Sequence, residues 1–350
     1  MDIDFLIVGQ GVAGSVLAWT LDRRGCSVLL ADDPALPSAS GVAAGIVNPL
    51  TGRKLVRTWK ADDLFPFLHQ FYRDIEETLG VRFFQPKTIY RPFRSIAEQT
   101  SYLALTDDPE IASYVTKSID NQLYSPFINN SFGGLEVTQA GWLDLTEFVR
   151  IIKGYFIRKN QYLEGKVSST DLTIKEDLIE WNGLKINKVI FCDGAQGREN
   201  PLFDWLPYNP VKGQILTAVA EGYSIKNIVN QGVFILPVRE GLIRIGATYS
   251  WHELDWQTTG EARAFLESKV RDLLKISYQV VAQQAGIRPS TKDRRPFIGI
   301  HPDHPAVGIF GGMGTKGVSL APYLAEQFAR HLLDGEDLIS EANISRCVSL

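Results

Sequence analysis

The chain has 350 residues, 45% of them apolar and 22% charged, the composition of a soluble globular protein with a sizeable core and more length than one small core serves. Disordered, collagen-like and disulfide-scaffold classes are excluded on that composition. Forty acids against thirty-six bases leave a net charge of −4, which advertises no broad polyanion-binding surface and leaves nucleic acid unsupported as a partner without excluding it.

The first basic residue is Arg23, and the longest charge-free run, residues 34–52, is broken by Pro34, Pro37 and Pro49. Neither a secretory signal nor a membrane span is expected. Cys26, Cys192 and Cys347 lack C-x-x-C spacing and are odd in number, the usage of a cytoplasmic chain with reduced thiols.

In chain order, residues 3–8 read as a buried strand, 12–24 as a helix and 27–31 as a second apolar strand, a β-turn-α-β unit. Residues 61–79 form an amphipathic helix ended by Gly80. The stretch 81–93 is extended, with Pro86 and Pro92 confining it to an edge or an irregular strand. Residues 146–159 are helical, and 188–192 are a short buried strand running into Asp193-Gly194. Alternation marks strands at 214–220, 232–238 and 242–248; 261–275 is helical and 278–287 returns to strand. The chain closes with a strand at 306–310, a glycine cluster, and a helix at 318–333. No internal repeat or obvious linker intervenes, which points to two domains sharing the chain discontinuously.

Residues 9–14 (Gly9, Gln10, Gly11, Val12, Ala13, Gly14) spell G-x-G-x-x-G directly after a strand and at the start of a helix. The glycines permit a tight turn, a close approach of pyrophosphate to the backbone, and close packing of helix on strand. Helix N–H groups and the helix dipole then face the phosphates. Asp32 ends the second strand, where its carboxylate can accept both hydroxyls of an adenosine ribose. The competing reading is a glycine-rich turn in an ordinary α/β unit.

A second G-x-G-x-x-G runs from Gly312 through Gly314, Thr315 and Lys316 to Gly317, again between strand and helix. Too little chain follows for another complete nucleotide unit, so this helix is expected to point its positive end at a group already held by the first motif. A reduced flavin, negative near N1 and the C2 carbonyl, suits a helix N-terminus and Lys316, which favours FAD over NAD. An ordinary packing turn is the alternative.

The polar segment 286–299, with 310–322 after it, resembles the C-terminal signature of the D-amino-acid-oxidase-like FAD oxidoreductases, whose members include glycine oxidase, sarcosine oxidase and the oxidase part of a bifunctional tRNA-wobble-uridine enzyme. Matching patches at 3–14, 40–45, 141–143, 192–195, 210–214 and 246–249 span nearly the whole chain in the family's order. The resemblance implies an α/β fold (α+β overall): a Rossmann-like FAD-binding domain over 1–60, 140–200 and 286–350, and a discontinuous antiparallel-sheet substrate domain over 61–139 and 201–285.

It also implies site residues. Arg288 pairs with a substrate carboxylate, which a planar guanidinium grips through two parallel hydrogen bonds; its alternative is a structural arginine on Asp293 or a loop carbonyl. Tyr249 lines the same pocket or merely packs, and Lys316 is the basic residue near the flavin or an exposed lysine. Ser40, Gly41 and Ala44 belong to the loop between pyrophosphate and isoalloxazine, Val167 to the strand whose backbone touches adenine, and Gly194 to the cofactor-binding set. Gly286 stands where some relatives tether flavin through a cysteine, so the FAD is expected to be non-covalent. His301-Pro302-Asp303-His304 reads as a solvated turn, with no metal expected.

The resulting expectation is an FAD-dependent oxidase or dehydrogenase of a small amine, an amino acid above all, working by hydride transfer to flavin N5 with oxygen or another electron acceptor. Two alternatives stay open: oxidative removal of a carboxymethyl group from a modified tRNA wobble uridine, and a non-catalytic FAD-binding protein.

Overall fold

The computed structural model describes residues 2–52, 54–116 and 120–348. The chain divides into two compact units, one of Met1–Ala43, Leu145–Val211 and Ile287–Leu350, the other of Ala44–Asp144 and Lys212–Gly286.

Five parallel strands form the centre of the first unit: β1 (Asp2–Val8), β2 (Val28–Asp32), β3 (Tyr162–Glu164), β4 (Leu184–Phe191) and β5 (His304–Gly311), lying side by side in the order 3-2-1-4-5. Phe5, Leu6, Ile7 and Val8 are all buried. A continuous apolar run is what a strand covered on both faces requires, because successive side chains point to opposite sides. On one face α1 (Val12–Arg23) packs beside α2 (Leu145–Arg158) and α3 (Gly317–Asp334), with the Trp19 and Tyr155 rings 5.0 Å apart. Opposite them, Leu6, Val8, Val189, Phe191, Phe203 and Ile309 share one apolar cluster. Each such side chain contributes roughly 1.5–3 kcal/mol on full burial. The strand order reverses between β1 and β4, and ligands of open α/β sheets lie outside the carboxyl ends of the strands at such a point.

In the second unit the larger sheet runs Gln279–Arg288, Val211–Val219, Leu242–Gly246, Phe234–Arg239, Ile228–Asn230, Ile89–Pro92, Gly134–Val137, Val115–Thr116. From Val211–Val219 onward neighbours pair antiparallel, except Ile228–Asn230 with Ile89–Pro92. The helix Gly260–Leu273 buries Leu266, Val270 and Leu273, an i, i+4, i+7 stripe, in the cluster that holds Leu216, Ile243 and Ile245. Mixed α/β architecture with a mainly parallel and a mainly antiparallel unit is the expected fold class. Among the described residues no helix is long and apolar enough to cross a membrane.

Several expectations need correction. Ile89–Pro92 lies inside the large sheet, not at an edge. Pro92 is the strand's last residue, opposite Gly134, and Phe93 N–H resumes bonding to Gly133 O at 2.9 Å, so only one ladder donor is lost. Phe84–Pro86 does sit at the edge of a small sheet with Gly141–Leu143 and Ile46–Val47. The seams also differ from the expected 60, 140 and 200. Residues 44–60 and 140–144 belong to the second unit because Ile46–Val47 pairs with Gly141–Leu143. Residues 201–211 belong to the first, where Lys292 N–H donates to Pro207 O (3.0 Å) and Asn209 N–H to Ser290 O (2.7 Å).

His301 is not solvated: it is 8% exposed, with its ring against Phe203 and Trp205. Burial holds its imidazole below the ordinary histidine range, and His304, 4.8 Å away between ring centroids, acts in the same direction. The unfolded chain therefore takes up this proton first as pH falls through about 6.5, and stability falls with it. The urea midpoint should be lower at about pH 5.5 than at about pH 7.5, and the gap should shrink in His301→Phe.

Candidate functional site

The crevice at the β1–β4 reversal is built by glycine. Gly9 follows β1 at φ +99°, and a Cβ there would lie 2.7 Å from the Cys192 carbonyl oxygen just past β4. A Cβ on Gly14 would lie 1.8 Å from Gly9 O and 3.3 Å from Cys192 Cβ. Only hydrogen fits at either position, so α1 starts tight against both strands. Gly11, the residue before α1, offers no side-chain cap. Instead Val12 N–H donates to Ser40 Oγ at 3.0 Å, from a short helix, Ala39–Val42, that follows β2.

Asp32, the last residue of β2, accepts Gln10 N–H on Oδ1 at 2.8 Å, while its Oδ2 has no hydrogen-bond partner among the described residues. Burial raises this carboxyl above its ordinary value, with the Gln10 N–H and Lys153 pulling the other way. Gly165 N–H donates to Asp32 O at 2.9 Å, which carries residues 165–168 past the same strand end. The Val167 side chain is core, packed with Ile3, Leu6 and Ala31. Asp193 and Gly194 follow Cys192; burial pushes the Asp193 carboxyl up to about 6 against the donor Asn200 Nδ2, 3.0 Å away.

The second glycine turn meets the first. A Cβ on Gly317, at the start of α3, would lie 2.9 Å from Val12 Cγ1, so the N-termini of α1 and α3 are neighbours. Gly312, at φ +67°, sits against Thr291 and Phe297, and Gly314 N–H donates to Pro289 O at 3.0 Å. Residues 289–291 are thereby seated on this turn. Thr315 is at its exposed tip. Lys316 caps α3, and burial, helped by Arg295 and Arg294, lowers its ammonium to about 8. Asp293, the alternative partner considered for Arg288, accepts from Arg346 Nε (2.8 Å), Thr291 Oγ1 and Arg295 N–H.

Gly9, Gly11, Val12, Ala13, Gly14, Asp32, Ser40, Gly41, Val167, Gly194, Gly312, Gly314, Thr315, Lys316, Gly317 and Arg288 all belong to the first unit, and Ala44 and Tyr249 to the second. Ala44 O accepts Trp142 Nε1–H at 2.9 Å there. Ser40, expected in the cofactor loop, also serves the α1 N-terminus through its hydroxyl. Pro289, whose carbonyl fixes the second turn, escaped the sequence reading and carried no signal beyond its place beside Arg288.

This arrangement fits FAD on two observations: a backbone cradle that a Cβ on Gly9 or Gly14 would fill, and an acid at the end of β2 with one oxygen unpartnered among the described residues. Val12, Ala13 and the neighbouring backbone would hold the pyrophosphate, and Asp32 the ribose. Gly14→Ala must displace α1 from Gly9 O. It should cost about 1–3 kcal/mol of stability and lower the flavin-to-protein absorbance ratio of the purified protein.

Comparisons with known proteins agree with this geometry. The chain is 24% identical to glycine oxidase of Pseudomonas putida, over 98% of each chain. It is 24% identical to the tRNA 5-methylaminomethyl-2-thiouridine biosynthesis bifunctional protein MnmC of Marinobacter nauticus over 93% of its own length, spanning 54% of that protein. Among solved structures, glycine oxidase from Bacillus cereus has a similar fold, with TM-score 0.81 and 19% identity over 96% of each chain. So does iminodiacetate oxidase from Chelativorans sp., with TM-score 0.76 and 19% identity over 98% of each. The DAO profile, FAD dependent oxidoreductase, matches residues 4–331, and the chain belongs to that FAD-dependent oxidoreductase family.

Proposed function

We propose that this protein oxidises the carbon–nitrogen bond of a small amine, an amino acid or N-alkyl amino acid, in the cytoplasm. The first unit serves as the domain for non-covalently held FAD and the second as the substrate domain. The observation that carries the reading is the seating of residues 289–291 on the second glycine turn, next in the chain to Arg288 and in the same unit as Lys316 and the cofactor cradle. Full-length similarity to glycine oxidase supports the substrate class.

Bound FAD supplies the two-electron acceptor, itself reoxidised by oxygen or another acceptor. Arg288 binds the substrate carboxylate through paired hydrogen bonds and so orients the carbon next to nitrogen. Lys316 and the α3 N-terminus hold positive charge at the second turn. Positioning and exclusion of water do much of the work, with no dedicated side-chain base. The imine product hydrolyses in water. A second reading, removal of a carboxymethyl group from a modified tRNA uridine, is favoured by the similarity to MnmC.

Anaerobic bleaching of the yellow protein by glycine, sarcosine or D-amino acids tests the first reading, and bleaching by modified tRNA alone would select the second. Arg288→Ala should weaken carboxylate substrates by about 2–5 kcal/mol, and an unchanged apparent affinity would remove Arg288 from the site. Because Lys316 loses its proton above about 8, kcat/KM for carboxylate substrates should fall as pH rises through that value. In Lys316→Met that limb should vanish.

A further inference from the structure

A hollow of about 460 Å³ opens within the first unit, lined by Arg198, Asp204, Trp205, Tyr208, Lys292 and neighbouring prolines. Its size falls in the range of small-ligand sites. Two of the segments that line it hold each other. Lys292 N–H donates to Pro207 O (3.0 Å), Asn209 N–H donates to Ser290 O (2.7 Å), and Tyr208 pairs with Thr291 between them.

The apolar walls are fixed as well. Trp205 Nε1–H donates to Leu202 O at 2.9 Å, and its ring stands edge-on to His301, 6.3 Å between centroids. The Tyr208 ring stands edge-on to Phe297 at 4.9 Å. Pro207 and Pro210, both in the lining, lock φ on either side of Tyr208. A wall formed in advance costs a ligand little ordering.

The charges around the hollow do not satisfy one another. Among the described residues Asp204 and Lys292 have no ion-pair partner, although both line it. Arg198 pairs there only with its chain neighbour Glu199, at 3.5 Å with both side chains well exposed, a contact worth little. A rigid frame thus holds one carboxylate and two cations around one space with no ion pair among them. An inorganic anion would use the cations and be repelled by Asp204. A molecule with an ammonium and a carboxylate on one carbon uses all three groups, and an apolar side chain on it covers Trp205 and Tyr208.

We propose that this hollow binds a free amino acid with an apolar side chain, its carboxylate on Arg198 and Lys292 and its ammonium on Asp204. Residues 290–292 of the rim overlap the segment seated on the second glycine turn, so a bound ligand steadies that segment.

Calorimetric titration of α-methylphenylalanine, which has no hydrogen on the carbon next to nitrogen and cannot be oxidised there, tests the proposal. It is done on FAD-loaded Arg288→Ala protein, where the carboxylate partner proposed for substrate is gone. Saturable binding should remain, and amide hydrogen exchange at Asn209 and Lys292 should slow on addition of the probe. Asp204→Asn and Lys292→Met, both at exposed positions, should each weaken binding about fivefold or more, the discounted worth of a charged hydrogen bond in a half-open cavity. Asp204→Asn should leave the affinity for 3-phenylpropionate undiminished, because that probe lacks the ammonium. Absence of saturable binding, or binding that neither Asp204→Asn nor Lys292→Met weakens, would overturn the proposal. The amine-oxidation reading stands or falls separately, on whether any amine bleaches the flavin.

Discussion

The contact between Gly14 and the Gly9 carbonyl sets the geometry of the first unit. With an added Cβ only 1.8 Å from that oxygen, α1 lies against the end of β1 as closely as a helix can. The β1–β4 pairing brings the Cys192 carbonyl onto Gly9 from the other side, so backbone from three directions lines one crevice with no side chain in the way. Backbone N–H groups at a helix N-terminus favour anions, and this is the unit's natural phosphate position. The Gly317–Val12 contact then adds a second helix N-terminus beside the first. One pyrophosphate-bearing cofactor suits two neighbouring positive helix ends better than two separate ligands would.

Electrostatics sharpen the same region. Asp32 and Asp193 are both pushed up by burial, and Lys316 is pushed down, so each charge near the crevice is held at a desolvation cost. Such costs are tolerated where a ligand or a reacting group offsets them, which is why perturbed groups gather at functional sites. Asp293 behaves oppositely. Its partners Arg346, Thr291 and Arg295 hold it low and tie the 291–295 loop to the C-terminal residues, a structural role close to the reactive segment.

The second unit solves a different problem. Its sheet supplies a rigid base, and the polar residues at the start of Val211–Val219 organise a long connection from that base. Buried polar side chains with specific partners select one arrangement of a loop where apolar packing would allow several.

The turn at 9–14, the strand before it, the helix after it and the acid at Asp32 were readable because their signals are local: an apolar run, three glycines at fixed spacing, a second apolar run ending in a carboxylate. The second glycine turn was readable as a turn for the same reason. That Gly317 packs on Val12, that the Ser40 hydroxyl meets the Val12 N–H, and that Asp255 reaches Lys212 were not, since each joins segments whose separation in the chain carries no periodicity. Pro92 misled for a related cause: its missing donor costs the ladder one hydrogen bond, but at the last residue of the strand, opposite Gly134, that loss does not exclude the strand from the sheet interior. Local chemistry thus gave the elements, the cradle and the cofactor class. Packing alone chose which distant residues share a surface, because burial free energy depends on the assembled shape and not on the order of letters.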